Sequence, residues 1–435
     1  MVRTVTANGK IEYEVLAGLA GRGGSGASPE VESAVRAIID AVRERGDDAV
    51  REYGLKFDGF VPDRLTLTRD DMKAGYDAAP KDFTDAILHA AENIRAYHEK
   101  QVQSGYEEKR GDGVVVGQVV RGMERVGLYV PGGTAAYPST VLMNAIPAKL
   151  AGVGELVMVT PPGKDSVANG LSAEMLAAAF VAGVDKIVLA GGAQAVAALA
   201  YGTDTFPKVD KIVGPGNVYV AAAKRMLYGL VDIDMIAGPS EILIIADERA
   251  LPEYVVADML SQAEHDPMAA SILLTTSAGL AERVAGEIES QLMELSRSEI
   301  ARKSIEGNGL IVVCRSESEM VAIANEAAPE HLEILTDDPL RLVPEIRNAG
   351  SVFCGPYSPE PLGDYYSGTN HVLPTSGTAR YASPLGVYDF VKRMSYTYYT
   401  QEALESAKDD IIVIAEAEGL TAHAAAVQKR FDNRK

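Results

Sequence analysis

RVGLYVPGG, Arg125 to Gly133, is a short β-rich run closed by a Pro-Gly-Gly turn, and a helical stretch from Thr140 to Leu150 follows it. A strand that ends on glycine and feeds a helix is how a βαβ unit opens. The alternation continues downstream. Further strands are expected at Leu156 to Thr160, Lys186 to Ala190, Lys211 to Val213 and Ile242 to Ala246. Later ones fall near Ser271 to Thr275, Leu310 to Cys314, Leu332 to Leu335 and Ser351 to Cys354, with helices between nearly all of them. This pattern predicts an α/β protein with doubly wound parallel sheets, and the number of strands fits two sheets better than one.

Upstream, residues 1–27 read as an arm ending in the linker GRGGSG, Gly21 to Gly26. That run matches G-x-G-x-x-G, yet no β-branched strand precedes it and no acidic residue closes a second strand about 20 residues on, so it is rejected as a dinucleotide motif. Ser28 and Pro29 mark the cap and first turn of a helix to Gly46, with Val31, Val35, Ile38, Ile39 and Val42 at helical spacing. A second helix covers Lys81 to Gln101, and the two are expected to pack together beside the first sheet. Residues 355–385 are rich in Pro, Gly and Tyr and have no period; a loop of that length in a compact domain is more often functional than idle. The tail from 386 looks helical, with a strand-like SYTYYT at 395–400.

Composition narrows the function. With 435 residues, 47% of them hydrophobic, the chain can build two or three well-cored globular domains. A net charge of −20 argues against nucleic acid, whose phosphates require a basic face. Its apolar runs fall far short of the roughly 20 residues of a membrane helix, and the N-terminus lacks the apolar core of a secretory signal. Cys314 and Cys354 lie in apolar segments without C-x-x-C spacing, which points to a reducing, cytoplasmic setting and away from thiolate zinc.

Candidate chemistry gathers in the second half. In NEAAPEHLEIL, Asn325 to Leu335, a helix opened by Ser316 with Glu319 three residues on, a capping box, is stopped by Pro329, which biases Ala328 out of the α region. Beyond it stand Glu330 and His331, expected at an exposed helix-to-strand turn: two proton-transfer groups of different strength, or plain solvated surface. In DMLSQAEHDP, Asp258 to Pro267, Asp258, Gln262 and His265 fall at i, i+4 and i+7 and form one polar stripe. Imidazole with a neutral oxygen suits zinc or a harder divalent ion; a solvated helix end is the plain alternative. Asp364 and His371 fall in the irregular segment, and Glu418 and His423 at the start of the last helix. Four glycine turns, at 130–133, 191–195, 214–217 and 238–241, are expected to close strands. Tyr129, Gln194 and Asn217 lie at or beside three of them and could face a dinucleotide, although Asn217 reads equally as a helix cap.

The motifs ERVGLYVPGG, STVLM, GGAQAVAALAYGT, KVDKIVGPGN, GPSE, LSQAEHDP, NEAAPEHLEI, GTNHVLPTSGTARY and AEGLTAHAAAV resemble the histidinol dehydrogenase family from about Ser28 to the C-terminus. The resemblance implies homodimers with shared active sites, one zinc per site, and oxidation of L-histidinol through L-histidinal to L-histidine with two NAD. It implies zinc on Gln262, His265, Asp364 and the partner's His423, and Glu330 and His331 as proton acceptors. Ser240, Gln262, His265, His331, Asp364, His371, Glu418 and His423 would surround the substrate, and Tyr129, Gln194 and Asn217 would contact NAD. The implied fold is two incomplete Rossmann-like domains, 28–128 with 239–380 and the inserted 129–238, flanked by the arm 1–27 and a dimer-exchanged tail 381–435. The alternatives are a dehydrogenase of the same fold acting on another alcohol, a zinc hydrolase using Glu330 and His331 on a metal-bound water, and a non-catalytic two-domain binding protein.

Overall fold

Val126, Leu128, Val157 and Val159 have no exposed surface, so the strands Arg125–Tyr129 and Glu155–Thr160 are buried on both faces. That is what a parallel sheet covered by helices on each side requires. The structure, a computed structural model, describes residues 2–7, 28–111, 113–132, 137–163, 171–236 and 238–432.

The sheet around these strands runs Thr66–Leu67, Lys186–Leu189, Glu155–Thr160, Arg125–Tyr129, Lys211–Val213, Asp232–Ile233, parallel except for the first. Counted from Arg125 the order is third, second, first, fourth, fifth, one half of a dinucleotide-binding fold. A second sheet runs Arg3–Thr6, Leu310–Val313, Ala270–Thr275, Glu241–Ala246, His331–Leu335, Ser351–Cys354, all parallel, and repeats that order counted from Glu241. The doubly wound pair of sheets expected from the sequence is therefore the architecture found.

Two features depart from expectation. Arg3–Thr6, expected in an arm, is an edge strand paired with Leu310–Val313; four mostly exposed residues are too few to show a period. The linker reading of Gly21–Gly26 lies outside the described residues. The helices Pro29–Arg45 and Lys81–Glu99 form, the first capped by Ser28, whose Oγ accepts from the Val31 N–H at 3.4 Å. Their buried Val35, Ile38, Ile87 and Ile94, however, share a core with Val126, Leu156 and Val196. They cover the 125–233 sheet, whereas a grouping of 28–128 with 239–380 would place them with the other. Pro29–Arg45 packs there against the alanine-rich helices Gly192–Tyr201 and Val218–Leu227, whose small side chains admit close approach.

These elements form one compact unit, residues 1–101 with 123–390. Residues 102–122 with 391–435 form another: an antiparallel sheet of Tyr106–Lys109, Val114–Gly122 and Val391–Tyr399, then the helices Gln401–Ala417 and Thr421–Gln428. The strand expected at 395–400 thus begins four residues earlier, at Val391. On Gln401–Ala417 the apolar Ile411, Val413 and Ile414 are exposed.

Replacing the fully buried Leu128 by Ala is expected to cost ~2–5 kcal/mol through lost transfer energy and the cavity left behind. Leu340→Ala, at a position 70% exposed, should stay within about 0.5 kcal/mol. Denaturant midpoints of the two variants check both figures.

Candidate active site

The helix Glu317–Ala327 starts at Ser316, whose Oγ accepts from the Glu319 N–H at 3.2 Å. The Glu319 carboxylate closes the box one residue early, on the N–H of Arg315 at 2.7 Å. At the other end Ala328 leaves the α region as expected next to proline, but into the left-handed one, with φ 48° and no exposed surface. That conformation costs an L-residue roughly 1–2 kcal/mol. It turns the chain sharply enough to bring Glu330 and His331 to the start of the strand Glu241–Ala246.

There the Glu241 N–H donates to Glu330 Oε2 at 2.9 Å, and His331 Nδ1 lies 3.1 Å from the Glu241 carbonyl. A carbonyl only accepts, so Nδ1 carries the hydrogen and Nε2 keeps its lone pair. The dyad is buried, 7% and 5% exposed, which corrects the expectation of an exposed turn. His331 Nε2 lies 3.6 Å from Glu360 Oε1, and one turn along the helix Glu360–Tyr365 the carboxylate of Asp364 lies 3.5 Å from His371 Nδ1. Glu360 was not singled out in the sequence. Its signal was slight: a glutamate after proline in an irregular segment, with no histidine at ligand spacing.

Burial governs the electrostatics. It pushes the Glu330 carboxyl well above the usual range despite the hydrogen bond from Glu241, and the carboxylates of Asp364 and Glu360 add to the shift. It pushes Glu360 up to about 9, with Asp364 adding to the shift, and pushes His331 down to about 4. Burial would raise Asp364 too, but the hydrogen bond from His371 and the surrounding imidazoles hold it below its ordinary value. At neutral pH the site therefore holds, in His331, an uncharged imidazole and, in Glu360, a carboxyl that retains its proton.

Ser240, Gln262, His265, Glu330, His331, Glu360, Asp364 and His371 line one cavity of about 310 Å³. Gln262 is buried at the end of the helix Pro252–Ala263, and its Oε1 has no hydrogen-bond partner among the described residues. His265 stands just past that helix and is exposed. Asp258 leaves the expected polar stripe: it does not line the cavity, and its carboxyl pairs with that of Glu333, which is buried behind His331 and accepts the Glu360 N–H at 2.9 Å. The turn at 238–241 opens the strand Glu241–Ala246 where it was expected to close one.

A second cavity of about 940 Å³ lies over the carboxyl ends of Arg125–Tyr129, Glu155–Thr160 and Lys186–Leu189 and is lined by Tyr129, Gln194 and Asn217. Pro131 and Asn217 also belong to the wall of the first cavity. The Gly192 N–H donates to the Tyr129 hydroxyl at 2.9 Å, while Gln194 Oε1, buried, has no partner among the described residues. Asn217 is the helix cap as well, its Oδ1 accepting from Tyr219 and Val220. Gly133 of the first glycine turn lies outside the described residues. Glu418, at the C-cap of Gln401–Ala417, and His423 belong to the other unit, and both are exposed.

Two donor sets could hold a divalent ion. His331, Glu360 and Asp364 offer ligand atoms within 4.8 Å of one another. Gln262 and His265 face Asp364 across the same cavity, and Gln262 supplies an orphaned acceptor, which is costly to bury without a partner. The second set leaves His331 free to accept a proton.

The paired sheets and the acid–imidazole cleft define an α/β oxidoreductase. The family model for histidinol dehydrogenase matches residues 23–431. The histidinol dehydrogenase of Clostridium acetobutylicum is 54% identical over 402 residues, covering 92% of this chain and 93% of that protein. That of Caldanaerobacter subterraneus subsp. tengcongensis is 55% identical over 406 residues, 93% of each. The crystal structure of histidinol dehydrogenase from Elizabethkingia anophelis superposes with a TM-score of 0.91 at 36% identity, over 99% of this chain and 98% of that one. The chain belongs to the histidinol dehydrogenase family, oxidoreductases of histidine biosynthesis. Among the described residues no helix is long and apolar enough to cross a membrane.

The donor sets make opposite predictions. In chelator-treated protein, Gln262→Leu or His265→Asn should weaken Zn2+ binding strongly, and Glu360→Gln should leave it within a few-fold; calorimetric titration reads both. Because Glu360, pushed up to about 9, holds its proton at pH 7.5, the added ion should also release protons into a weakly buffered solution and raise the melting temperature. Loss of binding in Glu360→Gln with none in Gln262→Leu would assign the ion to the first set.

Proposed function

We propose that this cleft oxidises L-histidinol to L-histidine by way of L-histidinal, with Glu330 and His331 as its proton acceptors. The observation that carries the reading is the pairing, in one cavity, of a buried imidazole held neutral with a buried carboxyl whose proton affinity is raised. NAD held by Tyr129, Gln194 and Asn217 supplies the hydride acceptor for each oxidation. Zinc held by Gln262, His265, Asp364 and the partner's His423 supplies a fixed positive charge that grips the substrate's imidazole and amine. The donors fit both groups: an unpartnered glutamine oxygen faces each site, and the metal set consists of imidazoles, a carboxylate and an amide oxygen.

In the first oxidation His331 Nε2 takes the hydroxyl proton while the carbinol hydrogen departs with its electron pair, and the C–O bond becomes a carbonyl. Glu330, ionised, then takes a proton from water as the water oxygen adds to the aldehyde carbon, while His331 returns its first proton to the carbonyl oxygen, forming the hydrate. His331, having passed on its first proton, takes a second from the hydrate as the remaining C–H hydrogen leaves as hydride, and the product is a carboxylic acid. Ser240, His371 and the partner's Glu418 complete the substrate's surroundings. A cavity closed by both sheets keeps the reactive aldehyde in place between the steps.

The exposed Ile411, Val413 and Ile414 support a homodimer in which the tail 381–435 is exchanged between subunits. We assign the protein to the cytoplasm, in keeping with the lack of a disulfide among the described residues.

Glu330→Gln should keep histidinal formation within about tenfold and lower histidinal oxidation by roughly 10²–10⁴. Assays on histidinol and histidinal separately read the split, and equal losses would contradict it. In the parent the second half-reaction should speed up as pH rises and the raised Glu330 carboxyl ionises; in the variant that rise should vanish.

Mixing Glu330→Gln with His423→Ala subunits should restore activity, because one site of each hybrid then has both residues intact. Hybrids that form and stay inactive would exclude the shared site.

A further inference from the structure

Lys224 and Asp234 form an ion pair whose side chains are 3% and 1% exposed. Removing two ions from water is costly, and packed apolar residues in their place are often at least as stable, so stability alone does not account for the pair. Its hydrogen bonds converge on one residue. Asp234 Oδ2 accepts the Gly214 N–H at 2.7 Å, and Lys224 Nζ donates to the Gly214 carbonyl at 3.0 Å and to Asp234 Oδ1, which also accepts the Met235 N–H at 2.6 Å. Gly214 has φ 107°, and a Cβ there would stand 2.1 Å from the Tyr129 carbonyl oxygen.

The residue ending the strand Lys211–Val213 is thus held through both backbone polar groups by opposite charges, and from the side by the neighbouring strand. Those two strands are where the sheet's order reverses, the place at which a crevice opens beyond the strand ends. Asn217 follows three residues later, caps the helix that carries Lys224, and stands on the wall of both cavities.

We propose that the Lys224–Asp234 pair is a positioning element that fixes the 214–217 turn and so sets the register of the nicotinamide against His331. The inference rests on the reading that NAD lies along Tyr129, Gln194 and Asn217. Both side chains stand on the wall of the first cavity beside Gly214, and the pair acts on the second through the peptide of Gly214 and the turn that carries Asn217.

The test is the double variant Lys224→Met/Asp234→Asn, which removes both charges and leaves no lone ion buried. If the pair positions the turn, the folded double variant binds NAD about tenfold more weakly by calorimetry. It binds histidinol, without NAD, within twofold of the parent, and loses roughly a hundredfold in kcat, the scale of a ~1 Å misplacement. A double variant that folds and binds NAD as the parent does overturns the proposal and leaves the pair a structural tie. Should it not fold, Asp234→Asn alone decides: weakened NAD binding with unchanged histidinol binding supports the proposal, and unchanged NAD binding overturns it. Gln194→Ala separates the two levels. If it weakens NAD binding while the pair variants do not, only this inference fails. If it too leaves NAD binding unchanged, the cofactor reading fails with it.

Discussion

The cost of keeping carboxyl groups out of water shapes this molecule. Glu330, Glu333 and Glu360 are each under 10% exposed, and burial drives all three toward the protonated form. They persist because every one has a backbone or side-chain tie. Glu330 accepts from Glu241, Glu333 accepts from Glu360 and pairs with Asp258, and Glu360 hydrogen-bonds Asp364. Break the ties and the pocket must fill with water, which would return His331 and Glu330 to ordinary strength. The shifted proton affinities of the site, upward at Glu330 and downward at His331, are therefore a property of the surrounding fold more than of the two residues.

That fold supplies the dryness by using its two sheets differently. In the 125–233 sheet the cavities lie over carboxyl ends, where strands feed glycine turns and helix starts, the usual place for a ligand in an open α/β sheet. In the 241–354 sheet Glu330 and His331 sit at amino ends: Ile242 lies opposite His331 in register, and Ser240 and Glu330 stand just before their strands. The first cavity draws on both kinds of end, Gly214 to Asn217 from one sheet and Ser240, Glu330 and His331 from the other. A hydride acceptor and a proton acceptor can then approach one carbon from opposite walls, which a single sheet with one active edge would not arrange.

Much of this was legible in the sequence, and the rest failed for identifiable reasons. Strands such as Lys211–Val213 and Ala270–Thr275 fell where expected, to within a residue, because both-face burial writes a continuous apolar run bounded by turn residues. Arg3–Thr6 did not, since a short edge strand needs no period. Glu330 and His331 stood out as residue types, but their burial did not: that depends on Glu241 and Glu360, remote in sequence and brought close by parallel pairing across a helix. Asp258 had the right helical spacing and the wrong partner, because spacing places a side chain on a face without saying which neighbour that face meets. Nothing in the sequence marked Lys224 and Asp234, and only the return of Asp232–Ile233 beside Lys211–Val213 brings them together.

Two glutamines tie the halves of the site together. Gln262 and Gln194 come from different sheets' helices, each is 1% exposed, and each points an unpartnered amide oxygen at a different cavity. A buried oxygen without a donor is destabilising, and a leucine of similar volume would avoid the cost. Neutral oxygen is nonetheless a useful choice in both places. Near Asp364 and His371 it adds a ligand atom without adding another negative charge to a pocket where carboxyls already repel one another. Near the amino end of Gly192–Tyr201 an amide leaves the helix's positive end unneutralised, where a carboxylate would compete with an incoming anionic group for the same N–H donors. Two buried atoms are thus left without a partner among the described residues, beside two cavities that share the wall formed by Pro131 and Asn217.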